Sequence, residues 1–170
     1  MFGISGIFGQ LFFRDYHGSP LWITSTRLTI AGIILLAMSF SRDHKRFFDV
    51  WKSKKNMPTL FLYVFGGVFS VQYFYYVAIQ LSNSATATIL QYTAPVFIML
   101  YLLIFQRQVP KPKSVLFVIL AMIGVFLLIT DGNIKHLSIS PLALVTGLIA
   151  AVAVVIYSII PRPLLDKYGA

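Results

Sequence analysis

Two long apolar segments are joined by a short polar link in the stretch Ala78-Ile79-Gln80-Leu81-Ser82-Asn83-Ser84-Ala85-Thr86-Ala87-Thr88-Ile89-Leu90-Gln91-Tyr92-Thr93-Ala94-Pro95-Val96-Phe97. One segment runs from Pro58 to Leu81 and the other from Ala85 to Phe105. Each is long enough to cross a hydrocarbon core about 30 Å thick, which takes about 20 residues of α-helix. A link this short makes the two helices antiparallel neighbours. The stretch therefore predicts a transmembrane helical hairpin.

Three further segments have the length and apolar character of a span: Pro20 to Phe40, Ser114 to Thr130 and Leu142 to Ile160. Met1 to Phe13 is apolar too, but at 1.5 Å per residue it is too short to span, and it lacks the basic start of a signal peptide. Of the 170 residues, 58% are hydrophobic and only 11% are charged, which is far from the composition of soluble proteins. The sequence predicts an all-α, polytopic integral membrane protein with about five full spans and a clipped first helix.

Basic side chains outside the spans are concentrated in alternate loops. Only Arg14 and Lys135 lie on one side of the predicted membrane. The other side receives Arg42, Lys45, Arg46, Lys52, Lys54, Lys55, Arg107, Lys111, Lys113, Arg162 and Lys167. Because cytoplasmic loops are enriched in Lys and Arg, this distribution predicts a multi-pass protein of the cell (plasma) membrane with both termini in the cytoplasm. It also explains the net charge of +9 without a nucleic-acid partner.

The chain lacks the residue clusters of an enzyme or a metal protein. It contains no cysteine, and His17, His44 and His136 are scattered through loops without carboxylates at ligand spacing. No phosphate-binding loop occurs, which excludes ATP-driven transport by this chain. The sequence therefore predicts neither an enzyme nor a metal or cofactor site.

Polar side chains recur inside the two spans of the hairpin. At 100° per residue, Thr88, Gln91 and Pro95 fall within about 60° of one another, and Gln91 and Tyr92 are too deep to reach the interface. Gln72 and Tyr76 share one face of the preceding span, so the two polar faces could line one cavity. Pro95 favours a pathway because it frees a backbone carbonyl near mid-membrane. The same side chains also suit a second role, as hydrogen bonds between helices. The predicted substrate pathway comprises Arg27, Gln72, Tyr76, Thr88, Gln91, Tyr92 and Pro95.

Arg27 is the one charged residue deep in a predicted span. A guanidinium near the bilayer centre costs at least about 2.5–3.5 kcal/mol, so it should have a partner. Candidates are Asp15 or Asp131 at the outer rim, a residue of a missing half, or an anionic group of a substrate. In the alternative, the side chain extends outward past Thr24 and Trp22 to the interface.

Small residues repeat every fourth position in the last span, at Ala143, Gly147 and Ala151. This spacing is typical of close helix packing and offers no polar group to a solute.

The two ends of the chain echo each other, since Leu11-Phe12-Phe13-Arg14-Asp15-Tyr16-His17-Gly18 is similar to Pro163-Leu164-Leu165-Asp166-Lys167-Tyr168-Gly169. If the echo marks a repeat, residues 1–139 form a first five-helix unit with a truncated first helix, and residues 140–170 form the first helix of a second unit. A unit with an odd number of helices inverts the next copy, as in many secondary transporters. The chain would then be a fragment.

The pattern as a whole resembles the EamA-type transporters of the drug/metabolite transporter superfamily. The resemblance rests on the hairpin from Ala78 to Phe97, on Arg27, on Ile123-Gly124-Val125-Phe126-Leu127-Leu128 and on Tyr168-Gly169. It implies ten helices in two inverted five-helix halves, cytoplasmic termini, and movement of small metabolites or amino acids, often outward. The chain departs from the family in supplying about half of such a fold. It also has Gln106-Arg107-Gln108 where members often carry an acid at the end of the fourth helix.

These observations predict a secondary transporter, a permease or exporter, that moves a small polar metabolite or drug-like solute across the bilayer by alternating access. Its partners would be the lipid bilayer, the solute, and a missing C-terminal half or a second copy. Two alternatives remain: a half-size subunit that must dimerise, and a truncated membrane remnant that does not transport. Small multidrug-resistance proteins dimerise in this way, but they rely on a buried glutamate, and this chain contains no glutamate.

Overall fold

The computed structural model describes residues 2–16, 18–42, 56–130 and 140–162, and within these ranges it contains helices and no strand. The helices are α1 (Phe2–Tyr16), α2 (Pro20–Arg42), α3 (Met57–Leu81, with a π-helical segment at Leu62–Phe69), α4 (Ser84–Phe105), α5 (Pro112–Thr130) and α6 (Pro141–Ile159). The predicted all-α fold is confirmed.

Four of the helices are long and apolar enough to cross a membrane: α2 over Pro20–Met38, α3, α4 and α6. α5, the remaining predicted span, has 19 residues, and its apolar sequence continues to Ile129. α1 has 15 residues and is the short first helix that the sequence predicted. These helices confirm a polytopic membrane protein. The echo of α1 near the C-terminus falls on residues 163–169, outside the described ranges, so the repeat and its boundary at residue 139 stay predictions.

α3 lies at the centre of the described bundle. It packs most extensively against α6 and also contacts α1, α2 and α4, whereas α5 packs mainly against α4. The core is formed where these helices meet, by Phe13, Tyr75, Tyr76, Ala78, Ile79, Ala87 and Ala150. Four of the seven belong to one stretch of α3, which explains why that helix organises the others.

The predicted hairpin is confirmed, with a link of two residues between α3 and α4. The Ser82 hydroxyl donates to the Ala78 carbonyl at 2.7 Å, and the Asn83 side-chain oxygen accepts the Thr86 N–H at 2.7 Å. Asn83 is thus the N-cap of α4, a position that favours Asn because its side chain satisfies a free backbone N–H. The Ser84 N–H donates to the side-chain oxygen of Gln10 at 2.9 Å, which ties α1 to the same point.

The small residues of α6 form a packing surface, as predicted. Ala143, Gly147 and Ala151 are buried. A Cβ built on Gly147 would lie 2.5 Å from Cδ1 and 2.6 Å from Cβ of Leu90 in α4. Only glycine allows the two helices to approach this closely.

α4 is broken near its middle. Ser84–Tyr92 and Ala94–Phe105 are separate helical stretches with Thr93 between them. Pro95 has no N–H to donate to the Gln91 carbonyl four residues earlier, which interrupts the hydrogen-bond ladder. The Thr93 hydroxyl donates to the Leu90 carbonyl at 2.6 Å and so satisfies a neighbouring acceptor. The interruption lies where the sequence predicted it.

Candidate functional site

A cavity of about 380 Å³ lies beside the break in α4, between α3, α4 and α6. Along α4 and α6 its residues come after the core residues in sequence, and along α3 they come before them. The cavity therefore lies on the side of the core nearer to Arg107 and Arg162. The residues that line it are Val68, Val71, Gln72, Gln91, Tyr92, Ala94, Pro95, Ile98, Val154 and Tyr157. Four of these, Gln72, Gln91, Tyr92 and Pro95, belong to the pathway predicted from the sequence.

Gln72 and Gln91 bring two carboxamides to this cavity from different helices. The side-chain oxygen of Gln72 is buried and has no hydrogen-bond partner. Gln91 is only 9% exposed, and its side-chain amide makes no hydrogen bond to another described residue. A buried polar group without a partner costs about 1–3 kcal/mol. Neither amide therefore bonds one helix to another within the described residues, but the Gln72 oxygen is enclosed by protein, so a solute reaches it only after the amide group turns.

Thr88 belongs to the same predicted stripe but has a different position. Its hydroxyl lies 3.1 Å from the Tyr75 hydroxyl of α3 and donates to the Ser84 carbonyl at 2.6 Å. Thr88 therefore joins α4 to α3 beside the core, and it does not line the cavity. For this residue the structure shows the helix-to-helix role that the sequence left open.

Arg27 and Tyr76 form a pair outside the cavity. Nη1 of Arg27 donates to the Tyr76 hydroxyl, and the guanidinium carbon lies 5.7 Å from the centre of the Tyr76 ring. Tyr76 is 1% exposed, and the ring of Phe13 in α1 meets it edge-on with the centroids 6.0 Å apart. The cation thus has both a hydrogen-bond acceptor and an aromatic face.

The expectation of an acidic partner at Asp15 for Arg27 is wrong. Asp15 pairs instead with its neighbour Arg14, at 3.1 Å between Nε and Oδ1. Asp131 lies outside the described residues. Tyr76 takes the place of the carboxylate because α2 packs against the part of α3 that carries it. The side chain of Arg27 turns toward α3, although it stays exposed on its other side.

Tyr157 and Val154 of α6 line the cavity, and sequence reasoning missed both. It treated α6 only as a packing surface. Tyr157 is held by two neighbours: its ring stacks on Tyr63 with centroids 5.6 Å apart, and a Cβ built on Gly67 would lie 3.1 Å from its Cα. The available signal was a tyrosine in an otherwise aliphatic part of the helix.

Comparison with known proteins places this architecture in a family. The model of the EamA-like transporter family matches residues 1–130. The chain belongs to the EamA-like transporter family. It is similar to the uncharacterized inner membrane transporter YicL of Salmonella typhimurium (strain LT2), with 34% identity over 169 residues. That alignment covers 99% of this chain and 56% of the relative, so the chain spans little more than half of the relative's length. No solved structure matches the chain.

Membership of the EamA-like family confirms the resemblance seen in the sequence and identifies the chain as a multi-pass protein of the cell membrane. The matched residues include α1 to α5 and therefore most of the cavity wall. α6, which contributes Tyr157 and Val154, lies beyond residue 130 but within the alignment with the YicL protein. The orientation of the two termini stays a prediction.

Proposed function

We propose that the chain is part of a secondary transporter that moves a small polar metabolite or drug-like solute across the cell membrane. The observation that carries this proposal is the cavity at a broken helix, lined by Gln72 and Gln91, whose side-chain amides make no hydrogen bond within the described residues. Helix breaks at membrane depth occur where the backbone is buried in protein or lines a water-filled cavity. In secondary transporters they contribute to substrate sites near the midplane.

In an alternating-access cycle, one end of the bundle would be open to the solute while the other end is closed. The cavity lies on the basic-loop side of the core, which is the cytoplasmic side in the predicted topology. On the opposite side, the core and two polar contacts between helices, Arg27 with Tyr76 and Thr88 with Tyr75, would close access. Opening to the outside would have to separate these contacts. The proposed pathway thus combines a cavity wall with residues that close one end.

The second candidate is a half-size product; the chain spans 56% of the length of the YicL protein. A carrier built from two halves would need a C-terminal half or a second copy to enclose the pathway, and a remnant would not transport at all. The mass of the native polypeptide in its source membrane, detected with an antibody to residues 41–57, separates these cases. A band near twice 19.1 kDa indicates a ten-helix carrier, and a band at 19.1 kDa indicates a dimerising subunit or a remnant.

Transport itself is tested by comparing metabolites across the membrane. Cells that produce the native polypeptide are compared with cells that produce its Gln91→Met variant at equal membrane levels. Untargeted mass spectrometry of medium and cytoplasm should show at least one small solute whose distribution differs severalfold. Cells that lack the polypeptide are the second reference: a profile identical to theirs would contradict the transport function, whereas a difference from them that persists in Gln91→Met would contradict only the role of Gln91.

Replacement of Pro95 is expected to reduce transport without weakening the fold. In Pro95→Ala the alanine N–H would donate to the Gln91 carbonyl and restore the helix, whose interruption by proline costs about 3 kcal/mol. We expect an unchanged or higher melting temperature in detergent and a severalfold lower flux of the solute found above. Pro112→Ala is the control, because proline at the first turn of α5 interrupts no helical bond. Normal flux through Pro95→Ala would show that the break is not used.

The predicted topology is tested by cysteine labelling, since the chain contains no cysteine. Asn83→Cys lies in the link between α3 and α4, and Lys54→Cys lies in the basic loop outside the described residues. A membrane-impermeant maleimide should label Asn83→Cys in intact cells and label Lys54→Cys only after the cells are opened. The reverse pattern would contradict the cytoplasmic placement of the basic loops.

A further inference from the structure

The polar groups that face the cavity are uncharged. The polar side chains among its lining residues are those of Gln72, Gln91, Tyr92 and Tyr157. Within the described residues, no charged side chain lines the cavity, and the guanidinium of Arg27 is bonded to Tyr76 outside it. A charged solute would enter a largely apolar space without a counter-charge, which is strongly unfavourable. The part of the wall that the described residues form therefore favours an uncharged solute.

The two carboxamides also limit the solute's hydrogen-bonding groups. Each has a carbonyl acceptor and two N–H donors, and a half-turn of the amide exchanges their positions. A solute with a donor and an acceptor side by side, as in a carboxamide or a lactam, can bond to both kinds of group. The buried Gln72 oxygen, which has no donor, would gain one from such a solute after that half-turn.

The remaining lining residues determine the size and polarity of the solute that fits the cavity. Val68, Val71, Ile98 and Val154 present aliphatic surface, and the ring of Tyr92 adds an aromatic face. A volume of about 380 Å³ falls in the range of about 300–1,000 Å³ typical of small-molecule sites. These features suit a compact ring or short aliphatic body better than a highly hydroxylated one.

We infer that this cavity recognises an uncharged solute with an apolar body and a carboxamide-like edge, which Gln72 and Gln91 bind together. The inference rests on the proposed transport function and names the substrate class of the same site. It makes the two glutamines specificity-determining residues, and it distinguishes the cavity from the cationic pair of Arg27 and Tyr76.

Three matched pairs of probes test this inference: nicotinamide and nicotinate, 2-phenylacetamide and phenylacetate, and indole-3-acetamide and indole-3-acetate. Each pair shares one body and differs between a neutral amide and a carboxylate anion. Binding is measured by isothermal titration calorimetry on the native polypeptide that carries these residues, purified in lipid nanodiscs at pH 7. At least one amide should bind at least about tenfold more tightly than its carboxylate.

Variants connect this binding to the two glutamines. Gln72→Met and Gln91→Met keep the length of the side chain and remove the amide, so each should weaken binding of the amide probe by about tenfold. Gln80→Met is the control, because Gln80 lies on the same helix, is exposed, and does not line the cavity. Equal melting temperatures of the three variants show that the fold is retained, and either cavity variant alone suffices if the other does not fold.

Three results would overturn the inference. The first is equal or tighter binding of the carboxylates, and the second is an equal loss of affinity in Gln80→Met. The third is failure of all three amides to bind. If the third occurs while the metabolite comparison above still finds a transported solute, the transport function stands and only the substrate class is wrong. If that comparison finds none either, the transport function fails as well.

Discussion

Gly147→Leu is expected to separate α6 from α4 and to lower the melting temperature of the protein in detergent by about 5–10 °C. Even the first added carbon would lie 2.5 Å from Cδ1 and 2.6 Å from Cβ of Leu90. Cβ of Leu90 is fixed to the α4 backbone, so rotation of the leucine side chain does not remove the clash. Overpacking of this kind costs about 1–3 kcal/mol, and each kcal/mol lowers the melting temperature by about 2–4 °C in a chain of this size.

Two comparisons make the Gly147 prediction specific. Gly32→Leu introduces the same side chain in α2, where a Cβ would meet nothing within 4 Å, and it should leave the melting temperature nearly unchanged. Gly147→Ala combined with Leu90→Gly should be more stable than the sum of the two single changes predicts, because glycine at position 90 removes the Cβ, Cγ and Cδ1 atoms that the added methyl would meet. If Gly147→Leu and Gly32→Leu have the same melting temperature, α4 and α6 are not in contact.

The spans and the hairpin could be predicted because, in a membrane, they depend on the residues of the segment itself rather than on distant contacts. Every backbone polar group in the bilayer must be bonded within its own helix, so length and apolar content define a span. The link is equally local, since Asn83 caps the helix that it begins. The break in α4 follows from the chemistry of one residue, because Pro95 lacks the N–H that the ladder needs.

The positions of Thr88 and Gln91 show that helix periodicity predicts which face a residue lies on but not whether that residue lines a cavity. The two residues share one face of α4, so a projection down the axis places them together. They lie at different depths, however: Thr88 is level with Tyr75 and bonds to it, while Gln91 is about one turn further along and faces the cavity. Which depth holds a cavity depends on the neighbouring helices, and the stripe alone does not contain that information.

Contacts between distant helices were the part that the sequence did not reveal. Arg27 and Tyr76 are 49 residues apart, and Tyr157 reaches the cavity from a helix that lies beyond the residues matched by the family model. In soluble proteins an apolar face marks the side that packs against the core. In a membrane the lipid-facing side of a helix is equally apolar, so an apolar face does not show which side packs against other helices. The small residues of α6 were informative because close packing, unlike apolar burial, restricts residue size.

Arg27→Gln is expected to reduce transport by about tenfold or more while the amount of protein in the membrane stays within about twofold. A hydrogen bond to a charged group contributes about 1.5–3 kcal/mol, and 1.4 kcal/mol corresponds to a factor of ten. The bond to Tyr76 joins α2 to α3, and in the proposed transport cycle it would close one end of the bundle. If it breaks in the state open to that end, its loss shifts the balance between the two states by this factor. Flux should therefore change more than stability.

Tyr76→Phe tests the same bond from its other partner. It removes the hydroxyl and keeps the ring beneath the guanidinium, so it should reduce flux less than Arg27→Gln, and adding it to Arg27→Gln should cause little further loss. Arg14→Gln is the matched control: Arg14 is 76% exposed, its ion pair with Asp15 lies at the surface, and exposed pairs contribute only about 0–1 kcal/mol. Flux is measured in proteoliposomes at equal protein content. Normal flux through Arg27→Gln would reduce the pair to a packing contact, because a contact that breaks in each transport cycle cannot be lost without changing the rate.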